Sequence, residues 1–208
     1  DLPVTIEALG TVIPSATAIV RPQVSGVLTQ LLFKEGQTVR AGQALAQIDP
    51  RPFEIAVSQA EGQRLRDEAQ LENARLTLKR FQTLLGQDSI ARQEVDTQAA
   101  TVRQLEGTVR SDRAAEATAR LNLSYARITA PISGRVGLRV VDVGNMVSSG
   151  DAGGIAVITQ LAPIDVEFAV PQDRVPDFER RQAEGAVLPV LVLDRTRAQV
   201  LDRGQFLT

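Results

Sequence analysis

Between Pro52 and Pro131 the chain has no proline, and that gap constrains its fold more than any other feature of its 208 residues. Prolines at 3, 14, 22, 50 and 52 precede the gap, and those at 131, 163, 171, 176 and 189 follow it. A proline inside a helix removes a hydrogen bond and costs about 3 kcal/mol, so a long helix must be free of it. From Phe53 to Ala130 the chain is rich in Ala, Leu, Gln, Glu and Arg, all good helix formers. The flanks instead carry short Val and Ile runs broken by Gly and Pro, the pattern of short strands and turns.

One interruption divides the helical stretch, at Leu85-Gly86-Gln87-Asp88-Ser89-Ile90, where Gly and Asp stop one helix and start another. The arms on either side, Pro52 to Leu85 and Ala91 to Ser124, hold 34 residues each. At 1.5 Å per residue each arm is about 50 Å long. On the first arm Val57, Ala60, Leu71, Ala74, Leu78, Phe81 and Leu85 fall on one seam, with Arg64 and Asp67 at the two positions between. The second arm offers Val95, Ala99, Val102, Leu105 and Val109, then shifts phase to Ala117 and Leu121. Two narrow seams of equal length joined by a short turn predict an antiparallel two-helix coiled coil, with weaker packing at Arg64 and Asp67. Gly62 and Gly107 weaken it by about 1 kcal/mol each relative to Ala. Residues 52–124 carry 10 Lys and Arg against 11 Asp and Glu, off the seam for the most part. Arms so charged are solvated rather than packed all round, so the hairpin is expected to project.

The flanks repeat one another. Val24-Ser25-Gly26 recurs as Ile132-Ser133-Gly134 at an offset of 108, and the same offset matches Gly36 with Gly144, Val39 with Val147 and Gly42 with Gly150. Chance gives about half a Gly–Gly match at any one offset, so three matches with shared neighbours indicate a duplication. Each copy reads as strand, tight turn, strand: Gly26 to Phe33, Glu35-Gly36, then Val39 and Gly42, then Leu45 to Ile48. The second copy has extra residues near Gly153-Gly154 before Ile155 to Ile158. Two such half-motifs can cover each other's apolar faces in one small sandwich, with Gly26 and Gly134 in equivalent strands.

Little chemistry is on offer. There is no His and no Cys, which removes the usual zinc and copper ligands, thiol nucleophiles and the commonest general base. Asp165 with Glu167 stand at strand spacing, and Asp173, Asp177 and Glu179 follow Pro171 at a helix start, where acids favour the N-terminus. Both groups read as structural. Catalytic residues are expected to be none, and metal ligands and cofactors none. A net charge of −2, six Phe and one Tyr give nucleic acid neither a basic field nor stacking platforms. Met146 is the one methionine, so the soft-ligand clusters of a copper or silver exporter are missing and organic substrates fit better. No apolar run approaches the ~20 residues that span a bilayer.

The segments Arg21-Pro22-Gln23-Val24-Ser25-Gly26 through Asp49-Pro50, and Ala130-Pro131-Ile132-Ser133-Gly134 through Val147-Ser148-Ser149-Gly150, resemble the two halves of a lipoyl/biotinyl-type domain. In carriers of that fold a hairpin with a modified lysine joins the halves. Here the junction is the helical stretch, and the two lysines, Lys34 and Lys79, lie elsewhere. A lipoyl-like domain split by a long α-hairpin is similar to the membrane fusion proteins, the periplasmic adaptors of RND-type tripartite multidrug efflux pumps. The phrases Glu7-Ala8-Leu9-Gly10-Thr11-Val12, Leu123-Ser124-Tyr125-Ala126-Arg127-Ile128-Thr129-Ala130-Pro131 and Ile164-Asp165-Val166-Glu167-Phe168 carry the resemblance over nearly the whole chain, the last as the start of the family's β-barrel domain.

The resemblance implies an elongated α+β protein: a lipoyl-like β-sandwich split by a long antiparallel α-helical hairpin, plus a partial β-barrel domain. The expected divisions are a barrel-side or membrane-proximal strand in 1–19, the split lipoyl-like domain in 20–50 and 127–160, the hairpin in 51–126, and the partial barrel in 161–208. It further implies a non-enzymatic adaptor in the periplasm of a Gram-negative bacterium, linking an inner-membrane RND transporter to an outer-membrane channel and self-associating into a ring. Membrane anchoring is expected through an N-terminus missing from this chain, which reads as a fragment. The family's tip motif, an Arg, a Leu four residues on and a Ser seven beyond, maps onto Arg80, Leu84 and Ala91, the last a departure from Ser. A Ser there would form a capping box with Glu94; Ala91 cannot, and Ser89 or Asp88 is expected to cap instead. Two alternatives stand beside this reading: an adaptor of an ABC-type exporter, and a lipoyl or biotin carrier modified at Lys34.

Overall fold

The computed structural model describes residues 5–206, so Pro3, the first residues of the 1–19 segment, and Leu207 and Thr208 lie outside the described residues. In chain order the elements are strands β1 (Gly10–Pro14), β2 (Thr17–Val20), β3 (Gly26–Leu31), β4 (Thr38–Val39) and β5 (Ala44–Ile48), helices α1 (Arg51–Leu85) and α2 (Arg92–Tyr125), then β6 (Arg127–Thr129), β7 (Gly134–Arg139), β8 (Met146–Val147), β9 (Ala156–Thr159) and β10 (Ile164–Phe168), a short helix α3 (Val175–Ala183), and β11 (Pro189–Leu193) and β12 (Val200–Gln205). The described residues form two compact units, one of residues 14–163 and one of residues 5–13 with 164–206.

In the larger unit two four-stranded sheets, ordered β2-β9-β7-β4 and β6-β5-β3-β8, share one core. Leu28, Leu45, Ile48 and Val147 of one sheet and Val39, Val136 and Ile158 of the other are almost completely buried in it. The sheets are built by exchange between the repeated segments. Gly26 pairs with Val147 and Val39 pairs with Gly134, each pair the image of the other under the 108-residue offset. The backbone bonds are reciprocal too. Gly36 N–H donates to the Val136 carbonyl (2.9 Å) and Gly144 N–H to that of Leu28 (2.8 Å); Leu28 N–H donates to Asn145 and Val136 N–H to Gln37, both at 2.9 Å. Past Gly153-Gly154 the offset becomes 110, so Leu28 opposite Ile48 is matched by Val136 opposite Ile158. Glycine is required where strands close in: a Cβ on Gly26 would lie 2.5 Å from Ile48 Cγ2, and one on Gly134 would collide with the Thr159 carbonyl.

Strand β2 crosses the boundary expected after residue 19. Thr17, Ala18 and Ile19 pair with Thr159, Ile158 and Val157, because Val20 at the end of the same strand anchors it in the core. Only β1 leaves this unit's sheets, pairing with β10.

Both helices run along one seam. On α1 the buried or half-buried positions recur at 57, 64, 71, 78 and 85, and at 60, 67, 74 and 81. On α2 they recur at 95, 102, 109 and 116, and at 98, 105, 112 and 119. These are heptad steps, as two supercoiled helices require. The expected shift of phase to Ala117 and Leu121 does not occur: both are exposed, and Asp112, Glu116 and Ala119 hold the seam. The reason is electrostatic, since Arg64 on α1 needs a carboxylate opposite and Glu116 supplies it. Gln98 takes the seam beside the expected Ala99, its Nε2 donating to the Ala74 carbonyl at 2.9 Å. Helix bounds fall one residue from expectation at three of the four ends. At the root, Asp49 accepts the Arg51 backbone N–H (3.1 Å) and grips the Arg51 guanidinium (2.6 Å at closest), which starts α1 ahead of Pro52.

In the smaller unit β11 pairs with β12, and Phe206 stacks near Phe168 and Phe178, with ring centroids 6.1 and 5.0 Å away.

Candidate functional site

The hairpin ends in a tight turn held mainly by backbone hydrogen bonds. Gly86 N–H donates to Gln82, Gln87 and Ser89 N–H to Leu84, and Asp88 N–H to Leu85. Asp88 takes a left-handed backbone (φ 52°), a conformation that short polar side chains tolerate better than most. The chain then extends through Ala91 (φ −71°, ψ 140°) into α2.

Arg80 and Ala91 are exposed, and Leu84 keeps 38% of its surface in solvent. Arg80 lies one turn below Leu84 on α1, and Ala91 opens α2, so the turn sets all three at one end of the hairpin. The replacement cap is not formed. Ser89 Oγ donates to the Gln87 carbonyl (3.1 Å), and no side chain caps α2. Ala91 is itself the N-cap, in the extended conformation a capping serine would adopt, and Glu94 stands at the third helical position.

Farther from the tip, sequence reasoning placed Arg64 and Asp67 on the seam but did not find their polar partners on α2. Arg64 Nε donates to Glu116 Oε2 and its Nη1 to Glu68 Oε2, both at 2.5 Å. Arg120 holds the other Glu116 oxygen (2.5 Å), and Arg113 reaches Glu68 (2.8 Å). Hydrogen bonding to Arg113 holds the Glu68 carboxyl below its ordinary pKa, and Glu116 raises that of Arg64. The signal was present as Arg64 and Asp67 in an otherwise apolar seam. A shallow groove of about 410 Å³ nearby is lined by Leu71, Arg75, Glu106, Val109, Arg110 and Arg113. Its Arg75 and Arg113 are already paired with Glu106 and Glu68.

The acids singled out in the smaller unit do not converge on one site. Asp165 and Glu167 are exposed on β10, and Asp177 pairs with Arg180 at 3.0 Å on α3. Among the described residues no three acidic, His or Cys side chains gather as metal ligands. No helix among them is long and apolar enough to cross a membrane.

Known proteins share this arrangement. The chain is 49% identical over 208 residues to the multidrug resistance protein MdtA of Erwinia amylovora, covering all of this chain and 51% of that protein. It is 48% identical over 212 residues to MdtA of Yersinia pseudotuberculosis, covering 48% of it. The chain thus spans about half the length of these curated relatives. Among solved structures, a MacA–MexA chimera containing the Pseudomonas aeruginosa MexA α-hairpin domain aligns over 94% of this chain and 64% of its own, at 24% identity and a TM-score of 0.56. The membrane fusion protein Spr0693 of Streptococcus pneumoniae aligns over 77% of this chain and 67% of its own, at 18% identity and a TM-score of 0.60. These two show a shared fold. Residues 16–159, both repeated segments and the hairpin between them, match the family described as RND MFP, barrel-sandwich hybrid domain, and the chain belongs to this membrane fusion protein family.

Proposed function

We propose that the chain is part of a non-enzymatic periplasmic adaptor, which links an inner-membrane RND drug transporter to an outer-membrane channel. The observation that carries this is the long hairpin rooted between two strand-exchanged repeats, in a chain that matches the RND family across both. That match favours an RND partner over an ABC exporter or a lipoylated carrier. In this reading 20–50 with 127–160 form a lipoyl-like domain, 51–126 the hairpin, and the smaller unit part of a β-barrel. The adaptor is held at the inner membrane of a Gram-negative cell, and several copies ring the transporter.

Arg80 and Leu84 carry docking at the channel's periplasmic end. Leu84 has already hidden more than half its surface, so covering the remainder is worth about 1 kcal/mol per copy. Arg80 supplies donors to carbonyls or a carboxylate. Tip contacts so weak act through number, because docking of one hairpin makes the others in a ring intramolecular. The test is Arg80→Asp and Leu84→Asp in the full-length adaptor, read by drug susceptibility and by cross-linking to channel and transporter. Both variants should lose resistance and channel cross-links while keeping transporter cross-links. Wild-type resistance in both removes the docking assignment.

A further inference from the structure

Asp67 and Asp112 occupy seam positions that meet in the antiparallel hairpin, one layer from Arg64 and Glu116. Asp67 is 5% exposed, and both its oxygens are taken: Oδ2 accepts from Gln63 Nε2 (2.8 Å) and Oδ1 from Arg66 Nε (3.1 Å). Asp112 Oδ2 is buried and has no donor among the described residues. The charged groups around the pair are few. On α1 they are Arg66, bonded to Asp67, and Arg64 and Glu68, committed to Glu116 and Arg113. On α2, Arg113 and Glu116 are engaged in those same pairs. Among the described residues no cation bonds the Asp112 carboxylate, and Arg66 acts on it only through its charge while bonded to Asp67.

We propose that Asp67 and Asp112 form a proton-sharing latch in the coiled-coil seam, closed when the pair holds one proton and loosened when both carboxyls are ionised. With one proton, Asp112 donates an O–H to Asp67 and the seam is satisfied. With none, two like charges face each other where Asp67 and the Asp112 Oδ2 atom are withdrawn from water, which only water entry or separation of the helices relieves. The inference rests on the hairpin alone and stands or falls independently of the adaptor reading.

The two carboxyls shift in opposite directions. Burial, then the bond to Asp67, raises Asp112, while the bond from Arg66 lowers Asp67. A raised carboxyl binds more protons folded than unfolded. Its stabilisation is complete below about pH 4 and is lost as pH climbs through the raised value. Asp67 contributes in the opposite sense, its share present above the ordinary carboxylate range and lost only in stronger acid. Above about pH 4 the Asp112 slope therefore governs this layer.

The chain has no cysteine, so Ala69→Cys and Ala114→Cys, exposed on the two helices near the pair, can be spin-labelled uniquely. The inter-label distance distribution should be narrow at pH about 4 and at least about twice as wide at pH about 8, with the unlabelled chain's Tm falling by about 3 °C over that interval. Asp112→Asn should keep the narrow distribution and remove the fall in Tm. Asp67→Asn, whose amide can donate to Asp112 in place of the proton, should be equally insensitive and serves if the first variant fails to fold. A wild-type width and Tm that ignore pH, or an Asn variant that keeps the wild-type dependence, overturns the latch.

Discussion

Arg64 on α1 meets Glu116 on α2 across the hairpin seam, Nε to Oε2 at 2.5 Å, where both heptads would otherwise bring aliphatic side chains together. The Glu116 side chain keeps 7% of its surface and that of Arg64 20%, so the pair is largely withdrawn from water. Such a pair adds little net stability over a hydrophobic contact, yet removing one member strands the other. Its effect is on register: only one alignment of the arms brings the charges together.

Arg64→Leu alone should therefore lower the melting temperature by about 5 °C, because Glu116 keeps only Arg120. Arg64→Leu with Glu116→Leu should recover it. Thermal unfolding followed by circular dichroism separates the two outcomes, and a double variant no better than the single would show that the pair itself holds the arms together.

At the tip, Ala91→Ser should stabilise the start of α2 by about 1 kcal/mol. The backbone is already extended at Ala91, and Glu94 is placed to complete the capping box. Amide exchange at the first turn of α2 is the direct readout; protection should rise there and stay constant in the sheets.

The repeated glycines should separate under alanine substitution. Gly36, Gly42 and Gly144 have φ of 74°, 80° and 94°, so each Ala variant should cost about 1 kcal/mol or more. Gly150, the repeat's counterpart of Gly42, is not left-handed, and an added Cβ would meet Ser148 Oγ only at 4.0 Å. Gly150→Ala should be neutral or mildly stabilising by urea denaturation.

That contrast shows where the sequence was legible. The offset of 108 predicted which segments share a core, because strand exchange needs the same turn at Gly36 and Gly144. It failed beyond Gly150, where two added residues change the connection: Gly150 is not left-handed, and Gly154 is (φ 60°), at a position whose Cβ would strike the Val20 carbonyl. On α1 the seam could be read even through Arg64 and Asp67, since aliphatic residues flank them on both sides. On α2 apolarity misled: Ala117 and Leu121 are exposed, while Asp112 and Glu116 are drawn in by partners on the other helix. A one-helix pattern cannot register a charge whose partner is 52 residues away. At the tip, Arg80 and Leu84 were singled out by the resemblance to the family's tip motif, whereas Ala91 as an uncapped start depended on local backbone geometry.

The unbroken heptad phase on both helices makes the hairpin a ruler with divisions of seven residues. Removing one heptad from each arm shortens it by about 10 Å, leaves the seam pattern continuous, and returns the turn to nearly the same facing. Because the sheets are closed by exchange between the repeats on either side of the arms, reach can change by whole divisions without touching the base. Distance and attachment are thus specified by separate parts of one chain.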